Sequence, residues 1–343
     1  MPNKFNLKKA NIMTQKIYKT LRQLYQEHQG KVSDKWSIYL DEYERVFSSL
    51  RNYPIRLLEI GIQNGGSLEI WSKYFTNAVK LVGCDINHNC RRLTYDNSSI
   101  ALVVADANLD KTESIIHEHA PTYDLIIDDG SHRSSDIVKS FARYFPHLSD
   151  GGLFIVEDLH CSYWQEFEGG LFDSYSSIAF FKQLVDVINH EHWGADKSRN
   201  ELLAGFVRRY DISFKEELLA QIHSIEFINS MCIIRKDAPI NNQSGRRIIA
   251  GQQTLVLEVP KALSEFCIPP DQSSNPMGAG SMQFEADLSQ LCIELAERAR
   301  RIAMQDKQLS LQNERIELVL NSRSWKVTAP LRRVAQWLGV KNK

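Results

Sequence analysis

Between residues 55 and 158 five apolar runs recur at short intervals: "IRLLEI", "KLVGCDI", "IALVVAD", "YDLIID" and "GLFIVED". Amphipathic stretches separate them, among them "GGSLEIWSKYF", "NLDKTESIIHEHA" and "SSDIVKSFARYF". A strand that is apolar along its whole length has both faces covered, and strands alternating with helices build a parallel sheet. The pattern predicts an α/β fold. Further on, "SIEFI" and "MCIIRK", separated by "NS", predict an antiparallel hairpin.

The flanks differ in character. Residues 14–52 carry apolar positions at helical spacing (Leu21, Leu24, Tyr25, then Tyr39, Tyr43, Val46 and Phe47), which predicts two helices broken at "HQGKVSD". Residues 239–281 are polar and rich in proline and glycine and read as a linker. From 282 onward Leu288, Leu291, Leu295, Ile302, Leu309, Ile316 and Leu320 restore helical spacing amid dense charge, predicting a long exposed helix or coiled coil. The end, "NSRSWKVTAPLRRVAQWLGVKNK", mixes Trp325, Leu331, Val334, Trp337 and Leu338 with Lys326, Arg332, Arg333, Lys341 and Lys343. A basic amphipathic helix of this kind docks on an anionic surface, on a partner, or back on its own protein. The expected parts are an N-terminal helical cap (1–54), an α/β domain (55–238), the linker (239–281) and the helical tail (282–343).

Bulk properties exclude some classes. A net charge of −1 gives no reason to expect a nucleic-acid partner. No apolar run approaches the length of a membrane span, and "MPNKFNLKKANIMTQ" lacks the apolar centre of a signal peptide. Cys84, Cys90, Cys161, Cys232, Cys267 and Cys292 are scattered without CxxC pairs, as expected of thiols in a reducing cytoplasm.

Ligands of an open parallel sheet bind at the carboxyl ends of its strands, and the acids of this chain gather there. "LIIDDGSH" (125–132) and "GGLFIVEDLH" (151–160) both run from a buried strand into two acids and then a histidine. The first strand ends "LLEIGIQNGGS", where Gly61 permits a tight turn and Gly65 and Gly66 permit close approach of backbone to a ligand. The spacing is G-x-x-x-G, not the G-x-G-x-x-G of a dinucleotide fold. Glu59 suits a ligand with a positive amino group, and Asp85 is placed to accept from two ribose hydroxyls. Asp106 ends the third strand. These features in this order, without a basic phosphate cradle, favour S-adenosylmethionine over NAD or ATP.

"LLEIGIQNGGSLEIW", "GCDIN", "DLIIDDGSH" and "GGLFIVEDLHCSYW", spread over roughly residues 34–236, resemble class I S-adenosylmethionine-dependent methyltransferases. More narrowly they resemble the metal-dependent sugar O-methyltransferases of macrolide and related antibiotic deoxysugar biosynthesis. The resemblance implies a Rossmann-like, mostly parallel seven-stranded sheet with a C-terminal antiparallel hairpin across 55–238. It implies cofactor contacts from Glu59, Gly61, Gly65, Ser67, Asp85, Asp106 and Asp128, metal ligands Asp129, Glu157 and Asp158, and His132 as general base. A carboxylate set suits Mg²⁺ or Mn²⁺, with ligand oxygens at about 2.1 Å. The implied activity is metal-dependent O-methylation of a sugar or glycan hydroxyl in polysaccharide or natural-product biosynthesis.

Each residue also has a plainer reading. Asp128 and Asp129 can cap the helix that follows, and His132 can be a solvated loop residue. Glu157 and Asp158 are harder to assign to structure alone, because unpaired buried charge is costly. His160 belongs either beside the metal ligands, facing the substrate, or to the surface. Tyr163 and Trp164 form an apolar face for a sugar or belong to the core. His190 and His192 read as surface residues, and Tyr39 and Tyr43 at i, i+4 spacing read as core. A catechol or polyketide acceptor, or a non-catalytic assembly protein that retains the fold, remain the other readings of the chain. Homo-oligomerisation or a peripheral contact through the C-terminal helix is expected of the tail.

Overall fold

The computed structural model describes residues 18–256, 268–275 and 281–337. The first seventeen residues, Cys267, parts of the expected linker, and Leu338, Lys341 and Lys343 of the tail lie outside the described residues. The chain divides into two compact units, residues 1–279 and 280–343.

The first unit is built on a seven-stranded sheet of order β3-β2-β1-β4-β5-β7-β6. Its strands are β1 (Arg56–Ile60), β2 (Lys80–Asp85), β3 (Ile100–Val104), β4 (Tyr123–Asp128), β5 (Leu148–Val156), β6 (Ile222–Ile228) and β7 (Met231–Lys236). β1 to β5 pair in parallel, while β7 is antiparallel to both β5 and β6. The parallel sheet and the hairpin read from the apolar runs are therefore present. Ser230, in the hairpin turn, takes a left-handed φ of 68°.

Helices cover both faces. On one side α1 (Leu21–Gln26), α2 (Ser37–Phe47) and α3 (Gly66–Tyr74) pack against β1, β4, β5 and β7. The α1 helix opens with a capping box of Thr20 and Gln23. Tyr43, Phe47, Trp71 and Phe75 interlock there through ring contacts of 4.9–6.2 Å. On the other side lie α4 (Asp110–His119), α5 (Ser134–Tyr144) and α6 (Ser177–Ile188). Here Phe141 meets Phe145, Phe154, Phe180 and Phe181 at 4.8–5.6 Å. Three short helices follow α6: α7 (Arg199–Leu202), α8 (Ala204–Tyr210) and α9 (Glu216–Leu219).

The second unit contains α10 (Ser281–Asn321), α11 (Arg323–Val327) and α12 (Ala329–Trp337). Ser322 caps α11, its side chain accepting from the Trp325 N–H. The Arg332 guanidinium lies 3.7 Å over the Trp325 ring. Leu291, Leu295, Ile302, Leu309, Ile316 and Leu320 of α10 are all exposed. Among the described residues no helix is long and apolar enough to cross a membrane. The five described cysteines, Cys84, Cys90, Cys161, Cys232 and Cys292, are free thiols.

Candidate active site

The parallel register brings the acidic strand ends to one place. Asp128 pairs with Val156 and with Ile60. The Asp129 N–H then donates to the Ile60 carbonyl at 2.8 Å and the Glu157 N–H to the Asp128 carbonyl at 2.9 Å. Asp129 and Glu157 thus leave neighbouring strands side by side. Gly61 makes this possible: its φ is +85°, and a Cβ there would stand 2.0 Å from the Asp129 carbonyl oxygen.

The turn after β4 and the turn after β5 each hold a residue in the left-handed region, His132 at φ 57° and Asp158 at φ 54°. Such conformations persist when the surroundings impose them, and they gather at functional sites. Asp129, His132 and Asp158 each offer a ligand atom, and these atoms lie within 4.8 Å of one another. His132 Nε2 is 3.8 Å from Asp158 Oδ2. The other Asp158 oxygen, Oδ1, accepts from Trp36 Nε1 at 3.0 Å and from the Tyr39 hydroxyl at 2.9 Å. Glu157 lies deeper. Its Oε1 accepts from the Tyr43 hydroxyl at 2.5 Å and from Lys35 Nζ at 2.7 Å. Burial raises both Glu157 and Asp129 above the usual carboxylate range, with Lys35 pulling each back.

A cleft of about 280 Å³ adjoins this cluster at the ends of β1 to β4. Gly61, Asp85, Asp106, Asp128, Asp129 and His132 all line it. Asp85 Oδ2 accepts from the N–H groups of Ile62 and Gln63 at 3.0 and 2.9 Å, which fixes the turn after β1. Asp106 Oδ1 accepts from the Asn108 N–H at 2.9 Å. Burial pushes the Asp128 carboxyl up to about 7. Asn108 Oδ1 is buried without a hydrogen-bond partner, while the buried Asp128 carboxyl has the Ser140 hydroxyl beside it, and all three residues line this cleft. Buried polar atoms are ordinarily satisfied, so a cleft that leaves Asn108 Oδ1 unpartnered and is lined by Asp85, Asp106 and Asp128 suits a polar ligand.

Glu59, Gly65 and Ser67 stand outside this lining. Glu59 is fully buried and accepts from Ser67 Oγ at 2.7 Å, with Lys35 Nζ 3.8 Å away. Gly65 sits at the N-terminus of α3 with φ 77°. Neither Asp128 nor Asp129 caps α5, whose N-cap is Arg133 without a side-chain bond. Glu168 instead accepts from the Ser135 N–H at 3.1 Å.

Aromatic rings rim the acid cluster. His160 Nδ1 pairs with Ser230 Oγ at 2.5 Å, and the His160 ring meets Trp36 and Trp164 edge-on at 6.2 and 5.0 Å. Phe167 lies 6.3 Å from the His132 ring. Tyr163 and Trp164 are 39% and 48% exposed, which removes them from the core. His190 and His192 contact Lys197 and Ser244 in surface loops.

Sequence reasoning reads the N-terminal segment as a helical cap but misses the side chains it sends to the acids of the site. Lys35 and Trp36 sit in a loop with no motif of their own, and Tyr39 and Tyr43 have the helical spacing of core residues. Both tyrosines are indeed buried, yet each directs its hydroxyl at an acid of the site. The signal available was a lysine and hydroxyl-bearing aromatics facing a sheet whose strand ends are acidic.

Curated relatives share sequence with about half of the chain. It is 35% identical over 177 residues to an 8-demethyl-8-alpha-L-rhamnosyl tetracenomycin-C 2'-O-methyltransferase of Streptomyces olivaceus, covering 49% of this chain and 46% of the relative. It is 32% identical over 202 residues to a mycinamicin VI 2''-O-methyltransferase of Micromonospora griseorubida, covering 55% and 47%. The chain therefore spans about half the length of the curated relatives it matches. No family model matches it. Among solved structures it is similar to the MycE methyltransferase of the mycinamycin biosynthetic pathway in complex with Mg, SAH and mycinamycin VI. The TM-score is 0.51 with 24% identity, over 65% of this chain and 56% of that one. The fold is accordingly that of class I methyltransferases. In sequence the chain is similar, more narrowly, to sugar O-methyltransferases of antibiotic pathways, as its strand-end motifs predict.

Proposed function

We propose that the chain is an S-adenosylmethionine-dependent and divalent-metal-dependent O-methyltransferase acting on a sugar or glycan hydroxyl. The observation that carries this reading is the convergence of Asp129, His132 and Asp158 beside a cleft lined by Asp85, Asp106 and Asp128. Asp85, Asp106 and Asp128 would hold the cofactor, with Gly61 shaping the turn and Glu59, Gly65 and Ser67 supporting it from below. Asp129, Glu157 and Asp158 are the carboxylates of the metal centre, and hard oxygen donors fit Mg²⁺ or Mn²⁺. A divalent ion bound there supplies Lewis acidity that makes an acceptor hydroxyl easier to deprotonate. His132 would take the acceptor hydroxyl proton on its imidazole, and S-adenosylmethionine bound in the cleft would supply the methyl group. His160, Tyr163 and Trp164 face the acceptor, where the rings of the rim suit the C–H face of a sugar.

The cap (1–54) and the sheet domain (55–238) serve as one catalytic body in this reading, with the linker (239–281) and tail (282–343) as an assembly or docking appendage. Oligomerisation through the tail and a cytoplasmic location belong to the same reading. The test is transfer of a labelled methyl group from S-adenosylmethionine, with Mg²⁺, to a panel of deoxysugar glycosides, nucleotide sugars, glycans and catechols. Label on a sugar hydroxyl is the expected result; label on the catechols alone would replace the sugar by a non-sugar acceptor.

The cofactor assignment has its own check. Asp85→Ala weakens binding of S-adenosylmethionine by about 1–3 kcal/mol, the usual cost of losing hydrogen bonds to a charged group. Part of that loss comes through the turn at Ile62 and Gln63, which the same carboxylate fixes. Calorimetric titration reads it, and an unchanged affinity would place the cofactor elsewhere.

A further inference from the structure

The loops that leave β4 and β5 carry the acids and histidines of the site, and one side chain fastens the two loops together. Glu168, in the loop after β5, sends its carboxylate to the start of α5, directly behind the turn that holds His132. Its Oε1 accepts from the Arg133 guanidinium at 2.5 Å and its Oε2 from the Ser135 N–H at 3.1 Å. The first N–H groups of a helix have no partner within it and form its positive end. Arg133, the N-cap of α5, makes no side-chain bond to them. A carboxylate from 33 residues away takes that place. Burial works against the Glu168 charge, but Ser135 and Arg133 outweigh it and hold the carboxyl below its ordinary value.

The loop is shaped to present that side chain. A single helical turn at Gln165–Phe167 ends at Glu168, whose φ of 60° is left-handed. The Gly169 N–H then returns to the Trp164 carbonyl at 3.1 Å, and the Gly170 N–H to the Ser162 carbonyl at 3.0 Å. A Cβ at Gly169 would stand 1.9 Å from the Ser162 carbonyl oxygen, so this close return of the chain requires glycine. Ser162 is buried and pairs with Ser177 Oγ at 2.6 Å, and the Ser177 N–H donates to Ser134 Oγ at 3.0 Å. The base of the loop is thereby joined to the starts of α5 and α6. Phe167, the residue before Glu168, faces the His132 ring with 6.3 Å between centroids.

We propose that Glu168 is a positioning residue for His132, clasping the loop after β5 to the turn after β4. This rests on the reading of His132 as the base. His132 lies between two fixed points. On one side the Asp129 N–H donates to the Ile60 carbonyl at 2.8 Å, and on the other Arg133 and Ser135 hold Glu168. The left-handed φ of His132, 57°, persists only where the surroundings impose it. An ion pair whose side chains are 48% and 35% exposed adds little to folding, so what the clasp contributes is placement. A displacement of about 1 Å in a catalytic group can cost about 10²-fold in rate. The same clasp also sets the loop that begins at Asp158 against the one that bears His132.

The test reads the His132 ring directly, through its rate of modification by diethyl pyrocarbonate on the full chain, resolved by peptide mass spectrometry. Glu168→Ala should speed modification of His132 by about tenfold as the turn opens locally, and leave His190 unchanged. Affinity for S-adenosylmethionine should stay within about threefold of wild type. Glu168→Gln keeps an acceptor for the Ser135 N–H and should behave as wild type in both respects. Methyl transfer to the deoxysugar glycosides of the panel above gives the second readout. Glu168→Ala should lower kcat by about 10- to 100-fold. In a His132→Ala background it should cost less than about twofold more, because a residue that acts through His132 then has nothing to position. Unchanged modification of His132, or an equal loss of kcat in both backgrounds, would overturn the proposal. If Glu168→Ala does not fold, Arg133→Met opens half of the clasp, and the same two outcomes decide. Wild-type turnover by His132→Ala would instead remove the base reading, and the modification rate of His132 would still decide the clasp.

Discussion

His132→Ala is expected to lower kcat by about 10²- to 10⁴-fold, the usual contribution of a positioned base, while S-adenosylmethionine still binds. The expectation rests on placement. His132 lines the cleft and also stands in the acid cluster, with Nε2 3.8 Å from Asp158 Oδ2. Gly130 begins the turn that carries it, and the left-handed φ of 57° directs it there. His160 flanks the same aspartate from the other side, with Nδ1 3.9 Å from Oδ1. That nitrogen, however, is already engaged by Ser230 Oγ, and the ring does not line the cleft. His160→Ala should therefore cost about tenfold or less. Added imidazole should restore part of the rate in His132→Ala and none in His160→Ala. Rescue of the second variant alone would move the base to the end of β5.

The contrast between the two histidines marks what the sequence made legible. "DLIIDDGSH" and "GGLFIVEDLH" are strands running into acids, and a parallel sheet must deliver such ends to one edge. The sheet, the hairpin and the meeting of Asp129 with the end of β5 follow from that rule. What lay out of reach were contacts made across long stretches of chain. Lys35 meets Asp129 and Glu157, Trp36 meets Asp158, and Tyr43 meets Glu157 from more than ninety residues away. Helical spacing marks Tyr39 and Tyr43 as core, and they are core, but periodicity reports which face a residue occupies and not where a hydroxyl ends. Glu59 shows the reverse limit. Its place at a strand end suggests ligand contact, yet the same buried strand puts its carboxylate under α3 with Ser67.

Removal of divalent ions is expected to stop methyl transfer and leave cofactor affinity nearly intact. In the proposed reading the cofactor residues and two of the three metal carboxylates sit on different parts of the sheet edge, with Asp129 at the join. Asp85, Asp106, Asn108, Asp128 and Ser140 lie along the cleft, whereas Glu157 and Asp158 lie beyond its lining. A sugar hydroxyl is a poor nucleophile near neutral pH, and a histidine base alone cannot make up the deficit. Lewis acidity is worth several kcal/mol of stabilisation. Lys35 cannot substitute for it, because an ammonium buried between Asp129 and Glu157 offers no open coordination position to an incoming oxygen. Treatment with EDTA should therefore reduce the rate by about 10²-fold or more, with recovery on adding back Mg²⁺ or Mn²⁺. Calorimetry with S-adenosylmethionine, with and without chelator, measures the other half of the prediction. Full turnover by chelated protein would assign the deprotonation to His132 unaided. Loss of cofactor binding with the ion would mean that the cleft and the acid cluster form one site rather than two adjoining ones.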